Sequence, residues 1–253
     1  MAQSYAADGS SIPFVIAAVA LGMVVTYALF MRGAPQLRVP VLVYTICLLP
    51  FVIGCGLAVA APTDEAAVAF FRVAVSPVPL ATAGGMSFQL ALAQQLSARR
   101  WLVGLALLVG VGFLVLGLTT TLAVDAIIVT PSGLRFFSPG PLVAPASMAI
   151  AILSSLGTLI AIRAYRVETS IVRRRQLASG ILALSIAFVG LVDVLLAFGL
   201  GWAPVSWLFV ATSSLLMLRS ILIDDLLRAR AVDTRAPMAL RSEEHTSELQ
   251  SPC

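Results

Sequence analysis

The chain contains no lysine, and its only histidine is His245; all sixteen of its basic residues are arginines. Without lysine there is no amine for a chromophore Schiff base, which excludes a retinal-binding rhodopsin. The scarcity of histidine argues against histidine-ligated metal sites and histidine acid–base catalysis. The sequence also shows no phosphate loop, zinc motif or nucleophile elbow. We therefore expect this chain to have no catalytic residues, no metal site and no cofactor, and not to be an enzyme by itself.

Charged residues of any kind are scarce. They make up 11% of the 253 residues, against about a quarter in soluble domains. Apolar residues make up 60%, and the mean hydropathy is +1.01. A chain of this composition cannot cover a water-facing surface. The sequence therefore predicts an integral membrane protein, with the lipid bilayer as its first partner.

The polar segment at residues 241–252 differs abruptly from the rest of the chain. Its sequence, RSEEHTSELQSP, resembles the in-frame translation of a common sequencing-library adapter. We therefore expect residues 241–253 to be a non-native tail and the natural reading frame to be interrupted near Leu240. On this interpretation, residues 223–240 are a truncated cytoplasmic exit helix or linker.

Hydropathy divides the preceding chain into seven stretches of about twenty residues, the length that a helix needs to cross a bilayer. They cover residues 12–31, 39–61, 73–95 with an extension from 66, 101–124, 142–162, 177–200 and 203–222. In lipid, open-ended segments satisfy their backbone groups only as helices. We therefore expect an all-α fold: a transmembrane bundle of seven helices over residues 12–222, after a short extracytoplasmic N-terminus at residues 1–11.

The arginines indicate how these spans are oriented. Thirteen of them fall after the first, third, fifth and seventh spans, and only Arg72 and Arg135 fall on the opposite side. Because cytoplasmic connections are enriched in arginine, the pattern predicts an N-terminus outside and a C-terminus in the cytoplasm. The net charge of +4 is thus a topology signal, and we expect no nucleic-acid partner.

The longest connection, residues 125–141, follows the fourth span on the predicted outer side. Its sequence, DAIIVTPSGLRFFSPGP, is rich in the turn formers glycine, proline and serine. The alternating apolar residues Ile127 and Val129 predict a short hairpin or cap. We expect Phe136 and Phe137 to dip into the membrane interface, as aromatic side chains do.

Four charged residues are candidates for sensing a ligand or signal: Asp193, Arg72, Asp125 and Arg135. Asp193 lies in the middle of the sixth predicted span, where a carboxylate costs about 2.5 to 3.5 kcal/mol on insertion scales. It must therefore face other helices, either as a ligand or proton site or as a hydrogen bond that fixes packing. Arg72 either snorkels to the interface or pairs with an anionic ligand or a nearby acidic residue: Asp64, Glu65 or Asp125.

Two further segments have more than one interpretation. We expect Pro79, which follows Pro77 in the third span, to free carbonyl groups and kink the helix. Such a kink marks some transporter sites, but it also results from packing alone. After the seventh span, a charged segment either forms a signal-output helix or only anchors the topology: Asp224, Asp225, Arg228 and Arg230.

Three stretches carry a family resemblance: TPSGLRFFSPGPL at 130–142, RRRQ at 173–176 and VDVLLAFGLGWAPVSWLF at 192–209. They resemble the N-terminal seven-helix sensing region of bacterial histidine kinases and related diguanylate cyclases. The resemblance implies a multi-pass protein of the bacterial inner (plasma) membrane that relays a small-molecule or membrane signal to a cytoplasmic output domain. It is compatible with a homodimer, and it assigns no ligand-binding residue.

A transporter or permease subunit is the main alternative hypothesis, favoured by the kinked third helix and Asp193. Against it, the seven spans do not divide into two halves of matching pattern, and charges within the spans are few. A membrane-embedded enzyme would need a cluster of polar residues at one depth, and the sequence shows only isolated ones.

Overall fold

The computed structural model describes residues 11–30, 35–129, 135–198 and 204–223. Within these ranges the chain forms helices and one two-stranded sheet. The helices are α1 (Ile12–Phe30), α2 (Pro35–Val59), α3 (Asp64–Val75), α4 (Val78–Leu92), α5 (Arg100–Thr119), α6 (Val143–Val167), α7 (Ile171–Val189), α8 (Val192–Ala197) and α9 (Ser206–Ile223). The strands are β1 (Val124–Val129) and β2 (Arg135–Pro139).

Seven helical segments of the described ranges are long and apolar enough to cross a membrane: α1, α2, α3 with α4, α5, α6, α7 with α8, and α9. Their outward faces are apolar too; for example, the side chains of Val15, Met23 and Phe30 in α1 are more than half exposed. A helix that is apolar all round suits a lipid environment rather than water. The prediction of a helical bundle with seven apolar spans is confirmed.

Helix α4 lies at the centre of the bundle and packs against α2, α5, α6 and α7. Glycines allow the closest of these contacts. A Cβ on Gly84 would lie 2.6 Å from the backbone nitrogen of Tyr44 in α2. A Cβ on Gly110 of α5 would lie equally close, 2.6 Å, to the Cα of Leu80. Helices without a hydrophobic driving force between them associate through such small residues, so these glycines fix α4 between its neighbours.

The third span is broken in the turn that precedes Pro79. Helix α3 ends before Ser76, and Pro77 is the residue before α4 begins. Pro79 lies in the first turn of α4, where a missing N–H costs little because first-turn N–H groups have no partner within the helix. The break at Ser76 and Pro77 lies in the turn before Pro79, whose missing N–H leaves the Val75 carbonyl without its usual helix partner. The interruption expected from Pro79 is therefore present.

The sixth span is also interrupted. Helix α7 ends at Val189, Gly190 is its C-terminal cap, and the chain turns before α8 begins at Val192. Asp193 therefore lies in the first turn of a short second helix and not in the middle of a continuous one, as its place in the sequence suggests. This turn presents its side chain to the beginning of α9.

The connection between α5 and α6 forms the predicted hairpin. β1 pairs with β2 in antiparallel register, with Ile127 opposite Phe137 and an irregularity between Val124 and Ala126. Phe136 and Phe137 do not dip into the membrane interface. They are buried against Phe71 of α3, with ring centroids 5.6 and 5.5 Å away. The hairpin therefore folds back over the bundle and packs on it.

Candidate functional site

The bundle has two chemically different ends. The hairpin end carries β1, β2 and the beginnings of α3 and α9. At the arginine end α4, α6 and α9 finish and α5 and α7 begin, and most of the described arginines lie there: Arg38, Arg99, Arg100, Arg163, Arg166, Arg173, Arg174, Arg175 and Arg219. The guanidinium of Arg173 donates to the Leu92 carbonyl at 2.8 Å, which joins two of the connections at this end.

A cavity of about 130 Å³ lies between the helices in the half of the bundle nearer the hairpin. Its walls come from helices α2 to α9, and β2 contributes Phe137. The break in the third span borders it, because Val75, Val78 and Pro79 all line the cavity. Most of the wall is apolar. The polar side chains that reach it are few, and Asp193 is the charged one among them.

Asp193 connects this cavity to the last span. Its side chain is 8% exposed. The N–H of Val205 donates to Oδ1 and the N–H of Ser206 donates to Oδ2, each at 3.0 Å. The first N–H groups of a helix have no partner within the helix, and the positive end of its dipole favours a carboxylate. Asp193 thus caps α9 from another span, which supports the packing interpretation, while the same side chain lines the cavity.

The other three predicted candidates lie on or beside the hairpin: Arg72 and Asp125 near its base, and Arg135 at its turn end, opposite Val129. Arg72 donates to the Val124 carbonyl at 3.5 Å and forms no ion pair with the acidic residues expected for it. Its proposed partner Asp64 lies 3.7 Å from Arg135, which also donates to the Ala61 carbonyl at 2.9 Å. These contacts hold the hairpin to the neighbouring helices. Because the carboxyl group of Asp64 is largely exposed, the ion pair contributes little to stability.

Asp125 is exposed beside the irregularity of β1, and the structure shows no ion pair for it within the described ranges. It is therefore separate from the cavity. Arg72 and Arg135 contact neighbouring elements at opposite ends of the hairpin strands, and Asp193 lies in the cavity wall. The predicted signal-output residues Asp224, Asp225, Arg228 and Arg230 lie outside the described residues.

A row of serines on α9 is a feature that sequence reasoning missed. Ser206, Ser213 and Ser220 are spaced by seven residues and therefore share one helix face. All three are buried. The hydroxyl of Ser213 lies 2.9 Å from that of Tyr44, and Ser220 accepts at its carbonyl from the amide of Gln176, at 3.1 Å. The seven-residue spacing was visible in the sequence, but the partners on other helices were not.

A second polar contact joins α4 to α6 beside the cavity. Gln89 is fully buried, and its side-chain amide donates to the hydroxyl of Thr158 at 2.8 Å. Gly157 gives it room, because a Cβ there would collide with the Gln89 side chain. Interhelical hydrogen bonds of this kind contribute about 0.6 to 2 kcal/mol each in membrane proteins. The α4 and α6 walls of the cavity are therefore held together by this hydrogen bond, whereas the beginning of the α9 wall is held by Asp193.

Comparison with known proteins gives no family assignment: the chain matches no protein-family model, and no curated protein matches it significantly.

Proposed function

We propose that this chain is the sensing module of a membrane signalling receptor, which relays an extracytoplasmic or intramembrane signal to a cytoplasmic output domain. The family resemblance favours a bacterial histidine kinase or related signalling protein. The observation that carries the proposal is the position of Asp193. One carboxylate lines the cavity and also holds the first turn of α9, so an event in the cavity acts directly on the last span.

The relay needs two arrangements of α9 that differ in free energy by a few kcal/mol, and a ligand with different affinities for them. A ligand that competes for the Asp193 oxygens weakens their bonds to Val205 and Ser206. Helix α9 is 18 residues long, so it carries a shift of its first turn across roughly 27 Å, at about 1.5 Å a residue. Within the described residues, the hydrogen bonds that hold its last turn come from neutral groups, among them Gln176 and Ser220.

We further propose that the bundle lies in the bacterial inner membrane with the hairpin end outside and the arginine end in the cytoplasm. The arginine distribution supports this orientation. Its test uses single cysteines at Asp125 and Arg100 in a chain whose native cysteines are replaced. A membrane-impermeant maleimide added to intact spheroplasts labels Asp125→Cys and leaves Arg100→Cys unlabelled until the membrane is permeabilised. The reverse pattern would overturn the orientation.

A transporter is the second candidate, because the break between α3 and α4 borders the cavity, as broken helices do at transporter sites. A transporter must open its cavity to each side in turn, whereas a sensor need not. Ser154 lines the cavity and provides the position for a test. In oriented proteoliposomes, Ser154→Cys in a sensor reacts with impermeant maleimide from at most one side. Labelling from both sides would favour the transporter and contradict the sensor proposal.

A further inference from the structure

The cavity has the chemistry of a site for a small organic cation. Its charged group is the Asp193 carboxylate, and both oxygens already accept one backbone N–H. A carboxylate has about four lone-pair sites, and the Ser206 hydroxyl lies beside the same group, so about one or two remain for a ligand. Within the described residues no arginine forms an ion pair with it. The end of the α9 dipole offsets about half a unit of its negative charge, which leaves a net negative group in an apolar wall.

Aromatic side chains supply the second part of the site. Five rings line the same cavity: Tyr44, Phe51, Phe113, Phe137 and Phe188. Phe137 belongs to β2, which packs against α8, the helix that carries Asp193. Aromatic faces attract ammonium groups, and the attraction is strongest where water is excluded. A negative group among aromatic rings disfavours an anion and favours a cation with an apolar body.

The volume limits the size of the ligand. An apolar cavity of about 150 Å³ admits benzene, and the cavity here measures about 130 Å³. The ligand is therefore about one six-membered ring, or an aliphatic group of that volume, with a small head group. The ammonium N–H groups then reach the free lone pairs of Asp193, and the body fills the apolar part.

We propose that this cavity binds a small primary ammonium ion with an apolar body, through the Asp193 carboxylate and the aromatic wall. This deepens the proposed function, since it names the ligand class of the same site and rests on that proposal for its role in signalling. Binding of the ammonium ion itself does not require a cytoplasmic output domain.

The test compares benzylammonium with benzyl alcohol, which has the same ring and a neutral head group. Binding to the purified full chain in lipid nanodiscs is measured by saturation-transfer difference NMR, with empty nanodiscs as the baseline for partition into lipid. We expect saturable binding of benzylammonium, at least about tenfold tighter than that of benzyl alcohol. No saturable binding, or equal binding of the two probes, overturns the proposal. This comparison uses the wild-type chain, so it does not depend on the folding of any variant.

Two substitutions locate the contact. Asp193→Asn removes the charge, and we expect the preference for benzylammonium over the alcohol to disappear. Asp125→Asn removes an exposed carboxylate that does not line the cavity, and we expect the preference to remain. A preference that survives in Asp193→Asn overturns the assignment. If benzylammonium binds as expected while Ser154→Cys is labelled from both sides, the ligand class stands and the sensor proposal fails.

Discussion

The two ends of α9 are held by different kinds of contact. At the hairpin end a buried carboxylate from α8 accepts two N–H groups of the first turn. At the arginine end the contacts are neutral: the Gln176 amide donates to the Ser220 carbonyl, and Ser179 donates to that of Leu216. A charged contact responds to another charge or donor, whereas neutral contacts mainly fix position. In the proposed sensor, the input therefore lies at the hairpin end and the readout at the arginine end.

The surroundings of the two ends differ in the same way. The hairpin covers its end with buried rings, and the cavity lies beneath it. At the arginine end the side chains bind one another and nearby carbonyls, as Arg99 does with Gln95 at 2.8 Å. Arg174 lies over the ring of Tyr165, 4.8 Å from its centroid. The hairpin end thus encloses the cavity, and the arginine end carries most of the positive charge.

Removal of the Asp193 carboxylate should have the largest effect on the free energy of unfolding. Asp193→Ala leaves two N–H groups of α9 without their acceptor in a buried setting, so we expect the free energy of unfolding to fall by about 2 to 3 kcal/mol. Equilibrium unfolding in mixed micelles measures it. Asp125→Ala is the matched control, since it removes an exposed carboxylate from the same end and should leave stability unchanged. Equal losses of stability in the two variants would show that the bonds of Asp193 to α9 do not stabilise the fold.

A substitution at the close contact between α2 and α4 should lower the free energy of unfolding somewhat less. Gly84→Ala puts a methyl group 2.6 Å from the Tyr44 nitrogen, and overpacking of this kind costs about 1 to 3 kcal/mol. Because Tyr44 contacts Ser213, the middle of α9 should loosen as well. Gly112→Ala is the control, because a Cβ there meets nothing within 4 Å. In thermal unfolding, Gly84→Ala should melt at a lower temperature than Gly112→Ala. A Gly84→Ala protein as stable as the control would argue against the close α2–α4 contact.

Loss of the neutral contact at the arginine end should have the smallest effect on the free energy of unfolding. Gln176→Leu removes the bond to Ser220, and we expect a loss of about 0.6 to 2 kcal/mol, as for other interhelical bonds in membranes. The same unfolding assay applies. A loss larger than that of Asp193→Ala would reverse the comparison between the two ends of α9.

The sequence predicts the parts of this fold that depend on local pattern. The seven apolar spans follow from hydropathy, and the hairpin follows from Ile127, Val129 and the turn residues between the strands. The interruption of the third span follows from Pro79, because a proline removes the bond to the carbonyl four residues earlier. That the span divides into two helices, with Pro79 in the first turn of the second, depends on packing and carries no sequence signal.

The candidate site was predicted only in part. The sequence identified Asp193, because a carboxylate in an apolar span needs a partner. Its partners are backbone N–H groups, which carry no sequence signal, twelve and thirteen residues later, just before and at the first residue of α9. The aromatic wall draws one or two residues from each of several elements, so no single stretch reveals it. For Arg72 the sequence suggested either snorkelling to the interface or an anionic partner. Its partner in the structure is the Val124 carbonyl, which depends on how the hairpin folds back.

The most direct test of the relay is the distance between α7 and α9 at the arginine end. Spin labels at Ile171→Cys and Arg219→Cys, in a chain without its native cysteines, report it by pulsed electron resonance. We predict that Asp193→Asn, made at the opposite end of α9, shifts the distance distribution while the protein remains folded. The matched variant Asp125→Asn should give the wild-type distribution. An unchanged distribution in folded Asp193→Asn protein would contradict the claim that α9 carries a signal from the cavity.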